Sequence, residues 1–188
     1  YKTFNPGTIN EKRALNGLNL KLNEGDFVTV IGGNGAGKST MLNAVAGTWP
    51  VDEGQILIDN IDVTKLSEHK RATYLGRVFQ DPMTGTAATM GIEENLALAK
   101  RRGKTRFLKP GITKKEREEY KELLKILGLG LEDKMDVKVG VLSGGQRQKI
   151  GIARALLSKA EYMIFDEATS SVDPESEKEI WETIGHLA

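Results

Sequence analysis

The chain has 188 residues, 39% of them hydrophobic, which is enough for one buried core. Its 27 Lys and Arg residues nearly balance 26 Asp and Glu residues, leaving a formal net charge of +1. That balance argues against a nucleic-acid partner attracted by a general positive field. The absence of cysteine excludes a disulfide framework and a thiolate metal site, and it favours a reducing compartment.

The longest apolar runs, 27–31 and 162–165, have the length of strands. A membrane span needs roughly 18 to 20 apolar residues, so neither run predicts one. The first residues also lack the pattern of a signal peptide. We therefore expect a cytoplasmic location, with any membrane spans supplied by a partner.

The first elements are expected to be strands. Apolar residues alternate over 15–22, and the mostly apolar run 27–31 has the pattern of a continuous strand buried on both faces. A Gly-rich turn and a helix over 38–46 follow. Further strands are predicted at 56–59 and 75–79.

A helical pattern then extends from 92 to 128. Thr113 and Glu116 have the spacing of a capping box, and Gly128 is expected to end the helix that they begin. The predicted apolar face of that helix consists of Tyr120, Leu123, Leu124 and Leu127.

After residue 140 the pattern returns to helix, strand and helix, over 143–157, 162–166 and 174–187. Elements of this order predict an α/β core that carries a helical insertion at about 84–137. We expect the whole chain, 1–188, to form one domain.

Residues 32–39 read Gly-Gly-Asn-Gly-Ala-Gly-Lys-Ser and match the phosphate-binding loop G-x-x-x-x-G-K-[ST]. The match follows a predicted buried strand and opens a predicted helix, which is the context that the motif requires. Glycine lets backbone N–H groups surround a phosphate, Lys38 would bridge the β- and γ-phosphates, and the Ser39 hydroxyl would bind Mg²⁺. The predicted nucleotide-binding residues here are Gly33, Asn34, Gly35, Ala36, Gly37, Lys38, Ser39 and Thr40.

The apolar strand 162–165 ends in two acids, Asp166 and Glu167, which is a Walker B pattern. Open α/β sheets bind ligands at the carboxyl ends of their strands. We expect Asp166 to hold Mg²⁺ through water or the Ser39 network, and Glu167 to act as the general base toward the attacking water.

The run Leu-Ser-Gly-Gly-Gln at 142–146 resembles the signature sequence of the ATP-binding cassette (ABC) family. The resemblance covers essentially the whole chain. It implies that two cassettes pack head to tail and that this loop caps the γ-phosphate held by the opposite subunit. The residues implied in that contact are Ser143, Gly144, Gly145 and Gln146.

The same resemblance implies three further roles. Gln80 corresponds to the Q-loop glutamine, which contacts Mg²⁺ and the attacking water, and 171–173 corresponds to the D-loop at the dimer interface. The aromatic residue that stacks on adenine is Phe4, with Tyr1 as the alternative.

The sequence also departs from the family. Cassettes carry a switch histidine after a further strand, whereas His186 falls in a helical pattern and His69 in a polar stretch. We therefore expect the last strand and the switch histidine to be missing, with slow turnover as a consequence. Residues up to about Gln146 resemble uptake-system ATPases and those from Lys149 resemble exporter-type cassettes, which suggests a hybrid chain.

These patterns predict an α/β, P-loop NTPase core with a mostly parallel sheet, a small antiparallel β region and the helical insertion. The implied function is ATP hydrolysis, with ATP and Mg²⁺, that powers solute transport. The implied partners are a second cassette and transmembrane permease subunits, with no nucleic acid. Two alternatives stay open: a soluble ABC ATPase of DNA repair or translation, and a module that binds ATP without turnover.

Overall fold

The structure is a computed structural model, and it describes residues 1–102, 104, 111–128, 130–166, 177–178, 181–182 and 185. These residues contain six strands and five α-helices. The strands are β1 (Lys2–Phe4), β2 (Lys12–Leu15), β3 (Leu57–Ile58), β4 (Ile61–Asp62), β5 (Leu75–Val78) and β6 (Tyr162–Phe165). The helices are α1 (Lys38–Ala46), α2 (Glu68–Arg71), α3 (Ile92–Lys100), α4 (Lys114–Ile126) and α5 (Gly144–Leu157), and a 3₁₀ turn covers Val139–Val141.

The chain divides into two compact units, Tyr1–Tyr74 and Leu75–Ala188. In the first unit β1 and β2 are antiparallel, with Phe4 opposite Lys12. A second hairpin joins β3 to β4 through Asp59 and Asn60, whose φ angles are 48° and 63°. Positive φ at both central residues is typical of the type I′ turn, which is favoured in two-residue hairpins because it matches the twist of the strands.

Helix α1 has the bounds predicted from the sequence. Leu15, Met41 and Ala44 form the small apolar cluster that holds it against β2. The helix ends at Gly47, whose φ of 86° lets the chain reverse and whose N–H bonds back to Ala44.

The prediction of strands over 15–22 and 27–31 is wrong beyond Leu15, because no strand is assigned between Leu15 and Leu57. Val30 is 41% exposed and Ile31 is 90% exposed. An apolar strand of this type is stable as an inner strand, with both edges paired and both faces covered. The unit Tyr1–Tyr74 contains two antiparallel hairpins and supplies no parallel neighbour for it.

In the second unit β5 and β6 form a parallel pair in which Arg77 lies opposite Ile164 and Val78 opposite Phe165. Its main core packs α3, α4 and α5 together around Ile92, Leu96, Tyr120, Leu124, Leu131, Ile150 and Ala153. Tyr120, Leu124 and Leu127 are buried and Leu123 packs against them, which confirms the predicted apolar face of α4.

The predicted cap of α4 is also confirmed. The Thr113 hydroxyl accepts a hydrogen bond from the Glu116 N–H, and the Glu116 carboxylate accepts one from the Thr113 N–H at 2.8 Å. Helices α3 and α4 lie within the range 84–137, although the assignment of 1–188 to one domain with a helical insertion stays a prediction. Most of the predicted helix 174–187 lies outside the described residues.

Candidate functional site

The glycine-rich loop leads directly into α1. Gly35 and Gly37 have φ angles of 81° and 95°, a conformation that side chains disfavour. Gly37 also packs against β2, since a Cβ placed on it would lie 2.6 Å from the carbonyl oxygen of Ala14. Gly37 is the N-cap of α1 and offers no side-chain acceptor. The first amides of α1 are therefore available to an anion.

Lys38 is the first residue of α1, and its side chain folds back over the loop. The ammonium donates to the carbonyl oxygens of Gly32 at 2.5 Å and Gly33 at 3.1 Å. Ser39 is exposed beside it and Thr40 is buried. The cation thus lies within the loop whose amides would surround a phosphate, where it can exchange carbonyl oxygens for phosphate oxygens.

Arg71 holds the opposite end of α1. Its guanidinium donates to the carbonyl oxygens of Ala44 at 2.7 Å and Val45 at 2.8 Å, both in the last turn of the helix. It also donates to Thr64 and Leu66, so one side chain that is 1% exposed satisfies four backbone carbonyls. Helix α1 is therefore fixed behind the loop that it carries.

Phe4, the predicted adenine-stacking residue, packs edge-on against Trp49 with ring centroids 5.1 Å apart. Its ring also lies 5.6 Å from the Lys2 ammonium. The same ammonium donates to Asp52, and this hydrogen bond is the largest cause of the lowered pKa of the Asp52 carboxyl. Tyr1, the alternative, is 50% exposed.

Lys12 is a cation near the loop that the sequence reasoning missed. It lies opposite Phe4 in the β1–β2 ladder. Its ammonium lies 3.6 Å from the position that a Cβ on Gly35 would occupy. The sequence gives no signal that Lys12 lies near Gly35, because that depends on how β2 packs beside the loop.

In the second unit two predicted site residues follow neighbouring parallel strands. Gln80 follows the end of β5 and is exposed, and Asp166 directly follows β6. The N–H of Asp166 donates to the carbonyl oxygen of Val78 at 3.1 Å. Both residues therefore lie at the carboxyl edge of the strand pair, as predicted.

Arg77 is a second residue that the sequence reasoning missed. Its Nη2 lies 3.2 Å from Oδ2 of Asp166, and the two side chains are 11% and 19% exposed. A charged residue inside the otherwise apolar run 75–79 was the available signal, since a buried charge requires a partner.

The loop 142–146 leads into α5, and Ser143 is the N-cap of that helix. The Ser143 hydroxyl accepts from the Gln146 N–H at 3.3 Å, and the Gln146 side-chain oxygen accepts from the Ser143 N–H at 3.2 Å. Gly144 is exposed and Gly145 is partly exposed. This arrangement leaves small residues at the N-terminus of a 14-residue helix, where an anion can approach closely.

Several predicted residues lie outside the part of the chain that the structure describes. They are the general base Glu167, the D-loop 171–173 and His186. Within the described residues, no group of three or more His, Cys, Asp or Glu side chains is arranged to bind a metal ion. The same residues contain no helix of the length and apolarity that a membrane crossing requires.

A phosphate-binding loop that opens a helix, within an α/β chain, defines a P-loop nucleotide-binding protein. A family model described as ABC transporter matches residues 15–170, and the chain belongs to that family. These matches confirm the predicted family and fold class.

Two relatives are ATP-binding proteins of uptake or transport systems. A tyrosine transport ATP-binding protein of Clostridioides difficile is 39% identical over 94% of this chain and 68% of its own length. A methionine import ATP-binding protein of Rhizobium etli is 40% identical over 89% of this chain and 44% of its own length. The chain thus spans between about half and two thirds of these relatives. The first alignment includes both parts of the suggested hybrid, and that suggestion stays a prediction.

Among solved structures, a dimeric ATP-binding cassette in a post-hydrolysis state with ADP and Pi resembles the chain with a TM-score of 0.83. It is 32% identical, and the match covers 97% of this chain and 78% of that one. This likeness confirms the α/β cassette fold.

Proposed function

We propose that the chain binds ATP with Mg²⁺, hydrolyses it in a head-to-tail pair of cassettes and powers solute transport through a separate transmembrane permease. The observation that carries the proposal is the glycine-rich loop on α1, with the Lys38 ammonium folded over Gly32 and Gly33. The relatives that serve tyrosine and methionine transport support an uptake system for amino acids. Such a subunit works in the cytoplasm, on the inner face of the membrane, where its permease holds it.

The donor chemistry of three residues fits Mg²⁺. Ser39 offers a hydroxyl, Gln80 an amide oxygen and Asp166 a carboxylate. Magnesium prefers oxygen ligands of this kind and usually keeps several waters. When bound, the ion would neutralise negative charge that develops on the phosphates during phosphoryl transfer.

The remaining residues divide the chemistry between binding and proton transfer. Phe4 stacks on adenine, and Lys38 with the amides of α1 holds the β- and γ-phosphates. Glu167 accepts a proton from the water that attacks the γ-phosphate in line. Ser143 of a second cassette donates to the γ-phosphate from the opposite side, so that neither subunit completes the site alone.

Phosphate release from MgATP tests this proposal. We expect Glu167→Gln to retain ATP binding and to lose turnover by about a hundredfold or more, the range for removal of a general base. The control is Glu161→Gln, an exposed acid that precedes β6. Unmodified protein that releases no more phosphate than Glu167→Gln would contradict hydrolysis, and failure to bind ATP would contradict the nucleotide site itself.

A further inference from the structure

The ion pair between Arg77 and Asp166 lies at the carboxyl edge of the β5–β6 pair. Arg77 is opposite Ile164 in the parallel register, and Asp166 is two residues further along on the same face as Ile164. The side chains therefore meet across the ladder, with Nη2 and Oδ2 3.2 Å apart. Both side chains are partly buried, at 11% and 19% exposure.

The guanidinium has a second contact on its own strand. Its central carbon lies 4.6 Å from the centroid of the Phe79 ring, in a cation–π arrangement. Phe79 directly precedes Gln80. Arg77 is therefore held between the Phe79 ring and the carboxylate of Asp166, which the proposed function assigns to Mg²⁺.

A cavity of about 320 Å³ borders Arg77, and Phe79 and Gln148 are also among its lining residues. Gln148 is 1% exposed and donates from its amide to the carbonyl oxygen of Phe79 at 3.1 Å. Its side-chain oxygen is buried and has no hydrogen-bond partner among the described residues. The charged side chains that also line the cavity are Asp81, Arg102 and Arg154.

We propose that Arg77 binds the Asp166 carboxylate before Mg²⁺ does, and that this competition sets the Mg²⁺ concentration needed for tight ATP binding. The inference rests on the proposed function, in which Asp166 serves Mg²⁺. A guanidinium at hydrogen-bond distance competes with the divalent cation for the carboxylate oxygens and repels it. The cavity that Arg77 lines offers space for a displaced guanidinium.

The test is a Mg²⁺ titration of ATP binding, followed with a fluorescent ATP analogue, for the full chain. We expect Arg77→Met to lower the half-saturating Mg²⁺ concentration by about three- to tenfold, the scale of a partly exposed charge pair. Arg102→Met is the control, since it removes the same charge from the same cavity and Arg102 donates instead to the carbonyl oxygen of Leu75.

Thermal unfolding in EDTA separates this role from a purely structural one. If Arg77 only stabilises the fold, Arg77→Met lowers the melting temperature in EDTA and leaves the Mg²⁺ midpoint equal to that of Arg102→Met. That result, or a midpoint that rises, overturns the inference. An unchanged or a raised Mg²⁺ midpoint in Arg77→Met leaves the proposed function standing, provided that the unmodified protein binds ATP. If the unmodified protein does not bind ATP, the proposed function itself is contradicted.

Discussion

The Lys38 ammonium donates a hydrogen bond to the carbonyl oxygen of Gly33 at 3.1 Å, inside the loop whose amides would surround a phosphate. Lys38→Ala removes that cation, so we expect ATP binding to weaken by about 1.5 to 3 kcal/mol, the range for a hydrogen bond to a charged group. Calorimetric titration measures the loss. Lys21→Ala, at an exposed lysine of the same unit, is the control, and equal affinity in the two variants would remove Lys38 from the site.

Lys12 and Arg13 are adjacent in β2 and point to opposite sides of the strand. The Lys12 ammonium lies beside Gly35. We expect Lys12→Met to weaken ATP and ADP binding by about three- to tenfold, within the range for a solvent-exposed charge. Arg13→Met makes the same change in net charge, so it tests whether position or overall charge matters. If Lys12→Met and Arg13→Met weakened nucleotide binding equally, the effect would come from the overall positive charge and not from the position of Lys12.

Arg71 joins α1 to the segment 64–66 through four hydrogen bonds to backbone carbonyls. Arg71→Met leaves these buried acceptors without a donor, and we expect a loss of about 2 to 4 kcal/mol in the free energy of unfolding. Chemical denaturation measures it. Lys70→Met, at the exposed neighbour in α2, should change stability by less than about 0.5 kcal/mol. If Arg71→Met lowered the free energy of unfolding by no more than Lys70→Met does, the four carbonyl oxygens would have other hydrogen-bond donors.

The cap of α4 predicts a pH dependence. The hydrogen bond from the Thr113 backbone is the largest cause that lowers the pKa of Glu116 from 4.5 to about 2. A carboxyl with a lowered folded-state pKa stabilises the fold above its unfolded pKa, and this contribution is lost as the pH falls from about 4.5 toward 2. Glu116→Gln keeps the cap but cannot ionise.

We therefore expect the stability difference between the unmodified chain and Glu116→Gln to be present at neutral pH and to shrink in acid. Urea unfolding across that pH range measures it, and Glu118→Gln on the same helix controls for the loss of one charge. A difference that is constant with pH would contradict the lowered pKa. Thr113→Ala, which removes the hydroxyl of the cap, should cost about 1 kcal/mol at neutral pH.

Local patterns were the part of the structure that could be predicted from sequence. The start of α1 at Lys38 and the cap at Thr113 depend on residues within one or two helical turns. Pairing across long stretches of chain was not predictable in this way. Arg77 and Asp166 are separated by 89 positions, and the run 27–31 forms no strand although its composition favours one. A strand depends on which neighbours reach its edges, and no periodicity in one segment specifies them.

The central claim is that the nucleotide site is shared between two cassettes, and mixing two defective variants tests it most directly. Both variants carry Glu167→Gln to prevent turnover; one adds Lys38→Ala and the other Ser143→Arg, which places bulk and charge at the start of α5. A pair of unlike variants contains one site with both Lys38 and Ser143 intact. Light scattering measures ATP-dependent dimers in each variant and in an equal mixture. We predict almost none in either variant alone and a clear dimer fraction in the mixture. A mixture that dimerises no more than its components, while Ser143→Arg alone still binds ATP, would contradict the shared site.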